Sequence, residues 1–102
     1  MMNFFKLSDI SKNTLVGRDV GKETRGKIKS LIEQYSTITI DMENKASLSP
    51  SFVDEAIVML VLEYGKNNFS KYIKLININN GTKSLMNAIL HDKLNNKKPN
   101  NY

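Results

Sequence analysis

The sequence contains no cysteine, no tryptophan and a single histidine, His91. Without cysteine there is no disulfide bond, thiolate metal ligand or cysteine nucleophile, and one histidine excludes a multi-histidine metal site. The longest apolar run, residues 56–62, has seven residues, whereas a membrane-spanning helix needs about 20. Residues 1–10 contain Lys6 and Asp9 and do not resemble a secretory signal. We therefore expect a soluble, cytoplasmic protein with no membrane contact.

The length and composition indicate one small domain. The chain has 102 residues, of which 40% are hydrophobic and 25% charged, which is ordinary for a globular protein. From residue 95 onwards there is no apolar side chain before Tyr102. We predict a single domain over residues 1–94, followed by a disordered polar tail over residues 95–102.

The net charge of +5 is unevenly distributed. Residues 1–30 contain seven basic and three acidic groups, residues 31–65 one and six, and residues 66–102 seven and one. Of the 15 basic residues, 13 are lysines, whereas proteins that follow nucleic-acid phosphates usually have arginine-rich patches. The joint abundance of lysine and asparagine is typical of the codon bias of an AT-rich genome. We therefore do not expect nucleic-acid binding to be the role of this charge.

Hydrophobic periodicity predicts strands that alternate with helices. We predict strands over residues 4–10, 37–42 and 72–78, with a short extended piece at 15–16. Helices are predicted from Asp19, over residues 49–64 and from Thr82. This order indicates an α/β fold with a small mixed or parallel sheet of about four strands and about three helices.

The clearest local signal is the start of the second predicted helix. Ser49 suits the N-cap position, Pro50 suits the first helical turn, and Asp54 and Glu55 favour the positive end of the helix dipole. The helix body is apolar on most sides, which predicts burial on more than one face, and Gly65 is expected to end it.

Patterns that would indicate an enzyme are incomplete. Residues 21–27 read G-x-x-x-x-G-K, but Ile28 stands where a phosphate-binding loop needs Ser or Thr. His91 and Asp92 fit a solvated helix end better than an acid/base pair. The acidic groups around Asp41 are more simply strand-end and helix-start residues than a metal site. We predict no catalytic residue, no cofactor and no metal, and therefore not an enzyme.

Two serines at the start of the second predicted helix are also candidate phosphorylation sites. A phosphate on Ser49 or Ser51 would lie beside free N–H groups and the positive end of the dipole. Capping alone explains Ser49 and leaves Ser51 as a tolerated second helical residue. Both interpretations stay open on the chemistry of the residues.

Two segments, residues 39–43 and 48–56, resemble the STAS-like domain family of unknown function, in which a strand ending in Asp leads through a short loop to a helix that opens with Ser and Phe. The Gly17-Arg18-Asp19 segment and the strand around residues 73–77 also fall where that family has them, so the resemblance covers roughly residues 4–92. It implies an α/β sheet with helices mainly on one side.

The wider STAS fold includes the anti-sigma factor antagonists, where this joint contains an Asp-Ser-Ser-Gly motif with a phosphorylated serine. Ser49, Pro50, Ser51 and Phe52 fall on that motif, and Ser51 is the residue that keeps its hydroxyl. The resemblance implies a bacterial regulatory module for protein–protein interaction, with phosphorylation at Ser51 or Ser49.

Three hypotheses follow. In the first, a protein partner, a histidine-kinase-like ATPase or a serine kinase, docks at the second helix through Asp41, Ser49, Ser51, Phe52 and Glu55. In the alternative, the domain senses a small ligand, a nucleotide or anion, near Asp41 and Ser51. In the third, the apolar helix buries its second face in a homodimer.

Overall fold

The computed structural model describes residues 3–11, 14–43 and 48–96, and this part of the chain forms a three-stranded sheet with five helices. The strands are β1 (Phe4–Lys6), β2 (Ile38–Asp41) and β3 (Ile73–Ile76). The helices are α1 (Leu7–Ser11), α2 (Arg18–Tyr35), α3 (50–64), α4 (Lys66–Tyr72) and α5 (Asn80–Asn96). The α/β class is confirmed, but the expected four strands and three helices are wrong.

The sheet is parallel throughout and has the order β1-β2-β3. Phe5, Ile40 and Leu75 stand beside one another on the face that packs against the helices. On the opposite face, Phe4 and Lys74 are exposed. The apolar pattern of β3 predicted a central strand or a sheet covered on both sides, but β3 is an edge strand of the described sheet.

The extra helices are short segments that periodicity cannot detect. The predicted first strand includes residues 7–10, but Leu7–Ser11 forms α1 and buries Leu7 and Ile10. Lys66–Tyr72 forms α4 although Phe69 is the one side chain that it buries. A stripe of several apolar positions is what identifies a helix in a sequence, and neither segment has one.

Helix boundaries follow local chemistry, with two corrections. Gly17, at φ +95°, occupies the N-cap position of α2, which was assigned to Asp19. The last helix, α5, begins at Asn80 rather than at Thr82, because the Asn79 side chain accepts a hydrogen bond from the Thr82 N–H at 2.7 Å. Gly65 follows the end of α3 at φ +86°, as predicted.

Helix α3 is the central helix of the domain. It consists of an α-helical turn at Pro50–Val53, a π-helical segment at Asp54–Val58 and an α-helical end at Met59–Tyr64. Its buried apolar residues include Phe52, Val53, Ala56, Ile57, Val58 and Leu60. The expected burial of this helix on more than one face is therefore confirmed.

On α2 the apolar residues Ile28, Leu31, Ile32 and Tyr35 lie at the i, i+3, i+4, i+7 spacing of one helix face, and they pass from fully buried at Ile28 to exposed at Tyr35. None of the helices in the described ranges is long and apolar enough to cross a bilayer.

Helix α5 continues to Asn96, past residue 94, where we placed the end of the domain. The rest of the predicted tail, residues 97–102, lies outside the described residues.

Candidate functional site

Ser49 joins the start of α3 to the loop that precedes α2. Its Oγ accepts hydrogen bonds from the Phe52 N–H at 3.1 Å and from the Gly17 N–H at 3.0 Å. Its own N–H donates to the Leu15 carbonyl oxygen at 3.3 Å. The N-cap prediction is confirmed, and the serine also holds together two segments that are far apart in the sequence.

Ser51 differs from Ser49 in how its hydroxyl is used. The two Oγ atoms lie 3.3 Å apart, and either could donate. Because Ser49 already accepts two N–H groups, both of its lone pairs are occupied and its proton is directed to Ser51. The proton of the half-buried Ser51 is therefore not needed to hold this joint together.

The remaining residues at the start of α3 have structural roles. Phe52 is fully buried, so its side chain offers no surface to a partner in this structure. Pro50 is exposed, has no N–H and suits the first helical position. The Val53 N–H bonds to the Ser49 carbonyl oxygen at 3.0 Å. Most of the amide groups at this helix end are therefore satisfied within the chain or absent.

Asp41, at the carboxyl end of β2, organises the neighbouring strand ends. Its Oδ1 accepts hydrogen bonds from the Glu43 N–H at 2.9 Å and from the Asn77 side chain at 3.1 Å. Asn77 has a left-handed backbone conformation at φ +56°, which asparagine tolerates well. The Glu43 N–H, followed by the Asn77 amide, holds the pKa of Asp41 below its usual value. No hydrogen bond in the described structure links Asp41 to Ser49 or Ser51.

The chain's two arginines connect α2 to the start of the π-helical segment. Arg18 Nη1 lies 2.9 Å from both Asp54 Oδ2 and Glu55 Oε2. Arg25 Nη1 lies 3.2 Å from Glu55 Oε1 and donates to the Glu55 carbonyl oxygen at 2.8 Å. The hydrogen bond to Asp54, followed by that to Glu55, raises the pKa of Arg18. We call these four residues the arginine clasp.

Arg25 donates a hydrogen bond to the backbone of the π-helical segment. A π-helical segment inside an α-helix shifts the hydrogen-bond pattern from i+4 to i+5, which leaves carbonyl oxygens available at the transition. The Arg25 guanidinium donates to the Glu55 carbonyl oxygen at 2.8 Å, near the start of the segment. Arg25 is therefore placed to stabilise the π-helical geometry of α3.

Gly21 allows α2 to approach α3 closely enough for the clasp to form. A Cβ on Gly21 would lie 2.7 Å from the Glu55 Cβ and 3.0 Å from the Phe52 carbonyl oxygen. Both distances are shorter than ordinary van der Waals contact. Gly26, on the same helix, has nothing within 4 Å of the position that a Cβ would take.

Sequence reasoning recognised Asp54 and Glu55 as helix-dipole residues but missed their partners. A signal was present: Arg18, Gly21 and Arg25 follow the i, i+3, i+7 spacing that places residues on one helix face. Two arginines on that face, in a chain whose other basic residues are all lysines, indicate a contact where guanidinium geometry matters.

The surface at the start of α3 combines exposed apolar and polar groups. Val16 is 49% exposed, and it precedes the Gly17 whose N–H bonds to Ser49. Pro50 is exposed, and the Arg18 side chain is 55% exposed. We call Val16, Arg18, Pro50 and Ser51 the α3-start surface. Glu55 lies behind it, held by both arginines.

Within the described ranges, no group of three or more His, Asp or Glu side chains is arranged to hold a metal ion. His91 lies exposed on α5, with the Asn95 side chain 3.2 Å from its ring.

Comparison with known protein families matches residues 20–83 to a family described as a STAS-like domain of unknown function, and the chain belongs to this family. No curated protein and no solved structure matches it. The match contains Ser49, Ser51 and most of the arginine clasp, whereas Arg18 precedes it. Family and fold together suggest, at most, a regulatory or binding module.

Proposed function

We propose that this domain is a non-catalytic regulatory module that binds a protein partner through the α3-start surface, and that phosphorylation of Ser51 controls the binding. The main supporting observation is that the hydroxyls of Ser49 and Ser51 have different roles. Ser49 holds the joint together through two backbone N–H groups, while Ser51 is free of that role. Modification of Ser51 can therefore alter the surface without dismantling the helix start.

Two of the three departures from the Asp-Ser-Ser-Gly pattern fit this proposal, and the third is Phe52 in place of the glycine. Ser49 replaces an aspartate, but both residue types cap helices through a side-chain oxygen. Pro50 replaces the first serine and is well suited to the first helical position. Ser51 is then the hydroxyl that corresponds to the modified serine. The proposed partner, a histidine-kinase-like ATPase or a serine kinase, follows from this resemblance.

Phosphorylation would change the surface by charge. A phosphate adds close to two negative charges and is favoured near a helix N-terminus. On Ser51 it would stand about one helical turn before Asp54 and Glu55, whose carboxylates already engage Arg18. The added charge would sit beside the apolar Val16 and Pro50, so we expect it to weaken an apolar partner contact.

Phosphorylation is tested by incubating the protein with ATP and purified candidate kinases, then measuring intact mass and fragment masses. We expect one phosphate on Ser51, lost in Ser51→Ala and retained in Ser70→Ala, since Ser70 is an exposed serine on α4. Modification of both variants to the same extent would refute Ser51 as the acceptor.

Docking is tested by calorimetric titration of a candidate ATPase with the unmodified protein. Val16→Ser removes about 1–2 kcal/mol of apolar contact, so we expect binding about 5- to 30-fold weaker. Leu94→Ser is the matched control, because Leu94 is 44% exposed on α5. If Val16→Ser and Ser51→Asp both bind like the wild type, the α3-start surface is not the docking site.

Nucleotide or anion sensing remains the alternative prediction for the same region. The satisfied amides of Phe52 and Val53 leave few N–H groups to hold an anion. A thermal-shift series with millimolar nucleotides distinguishes the two proposals. Stabilisation that disappears in Ser51→Ala would favour the sensor over the docking module.

A further inference from the structure

A groove of about 760 Å³ lies between α3 and α5, apart from the α3-start surface. Its apolar side chains are Met59, Leu62 and Ile89, and its charged side chains are Asp54, Glu63, Asp92 and Lys93. Both helices contribute apolar side chains, so the groove is formed between the two helices and not by one of them alone.

Asp54 contributes a buried carboxylate oxygen to this groove. The residue is 5% exposed, and Arg18 engages its Oδ2 at 2.9 Å. The other oxygen, Oδ1, is buried and receives no hydrogen bond, although the Lys93 ammonium lies 3.2 Å away. A buried carboxylate oxygen without a hydrogen bond is energetically costly, so Oδ1 is a position where a better-oriented cationic donor would be favoured.

The charge of the groove favours a cation from outside the chain. Three carboxylates and one ammonium line the groove, and Arg18 already pairs with Asp54 from outside it, so Asp92 is the lining carboxylate with no ion pair in the described structure. Lys29 on α2 already pairs with Glu63. Lys93 approaches Asp54 on a long flexible side chain that is one-third exposed, so it can be displaced into water at low cost.

We propose that this groove binds a basic amphipathic segment of a partner protein, whose arginine displaces Lys93 and hydrogen-bonds to Asp54 Oδ1. The partner's apolar side chains would cover Met59, Leu62 and Ile89. Arginine fits better than lysine because its planar guanidinium reaches a carboxylate with fixed donor geometry. The proposal uses surface outside the α3-start surface and does not depend on phosphorylation.

The test is fluorescence anisotropy with a labelled amphipathic helical peptide of leucine and arginine, compared with the same peptide containing citrulline at each arginine. Citrulline keeps the shape and removes the charge. We expect the arginine peptide to bind at least about tenfold more tightly, the ratio that charge-assisted hydrogen bonds support.

Variants locate the binding. Lys93→Met removes the competing ammonium and keeps the side-chain stem, so we expect about tenfold tighter binding of the arginine peptide. Asp54→Asn is expected to weaken binding of the arginine peptide, but this change also disturbs the arginine clasp. Asp92→Asn is therefore the second variant, and we expect its binding to be about two- to fivefold weaker. Asp9→Asn, an exposed carboxylate on α1, is the control and leaves binding unchanged.

Equal binding of the two peptides, or no gain in Lys93→Met, would overturn the proposal. A concentration-dependent dimer in light scattering that Leu62→Ser abolishes would also overturn it, because a second copy would then cover the groove. Ser51→Ala is expected to bind the peptide like the wild type. The proposal for the groove can therefore be refuted while the docking proposal for the α3-start surface stands, and the reverse outcome is also distinguishable.

Discussion

Replacement of Gly21 with alanine tests the close contact between α2 and α3. The new methyl carbon would lie 2.7 Å from the Glu55 Cβ, where ordinary contact begins at 3.4 Å. The second close neighbour is the Phe52 carbonyl oxygen at 3.0 Å, a backbone atom that cannot rotate away. The two helices must therefore separate by several tenths of an ångström at a point where Phe52 is fully buried.

The expected cost combines two opposing effects. Overpacking of a well-packed contact costs about 1–3 kcal/mol, while alanine gains about 1 kcal/mol over glycine in a helix interior. We expect Gly21→Ala to lower the free energy of unfolding by up to about 2 kcal/mol. Urea denaturation followed by circular dichroism measures this change in the free energy of unfolding, and each 1 kcal/mol corresponds to a shift in Tm of about 4–8 °C.

Gly26→Ala is the matched control on the same helix. Gly26 is exposed and has nothing within 4 Å, so alanine gains helix propensity without a clash. We expect the free energy of unfolding to rise by about 0.5–1 kcal/mol. The opposite signs of the two substitutions follow from the structure alone. Stabilisation by both would refute the close approach of α2 to α3.

Three further substitutions probe individual interactions. Ser49→Ala removes the acceptor for two N–H groups and should lower the free energy of unfolding, measured by urea denaturation, by about 2 kcal/mol. Ser51→Ala should change it little, and equal effects of the two substitutions would contradict the different roles assigned to the two hydroxyls. Arg25→Gln should lower the free energy of unfolding by about 1–3 kcal/mol, since the Glu55 carbonyl and carboxylate lose a charged donor; an unchanged midpoint would refute its role in α3. The lowered pKa of Asp41 means that its stabilising contribution is present above the ordinary value of 3.8 and is lost as pH falls through the lower folded value. Asp41→Asn should therefore reduce the loss of stability between about pH 6 and about pH 3, and an unaltered loss would contradict the assigned interactions.

Local chemistry explains which parts of the fold could be predicted. The Ser49-Pro50 helix start and the Gly65 helix end depend on residues a few positions apart, and both are confirmed. Strand β2 follows from strict alternation over residues 37–42. In contrast, α1 and α4 are short and gain their stability from packing that no local pattern encodes.

The candidate site was only partly predictable because its contacts join distant segments. The resemblance and helix chemistry selected Ser49 and Ser51, and the structure shows how their hydroxyls differ. The Arg18–Asp54 ion pair joins residues 36 positions apart, so spacing within one helix could suggest a common face but not its partner. The burial of Phe52 likewise depends on where α2 packs, which the sequence does not state directly.

Hydrogen–deuterium exchange with a bound candidate ATPase tests the proposed docking surface most directly. We predict that partner binding slows amide exchange at Val16, Arg18 and Ser51, and that Ser51 phosphorylation removes this protection. Exchange at Lys74, on the exposed face of the sheet, should stay unchanged and serves as the internal reference. Protection at the outer face of the sheet, with none at residues 14–18 and 50–52, would contradict the account.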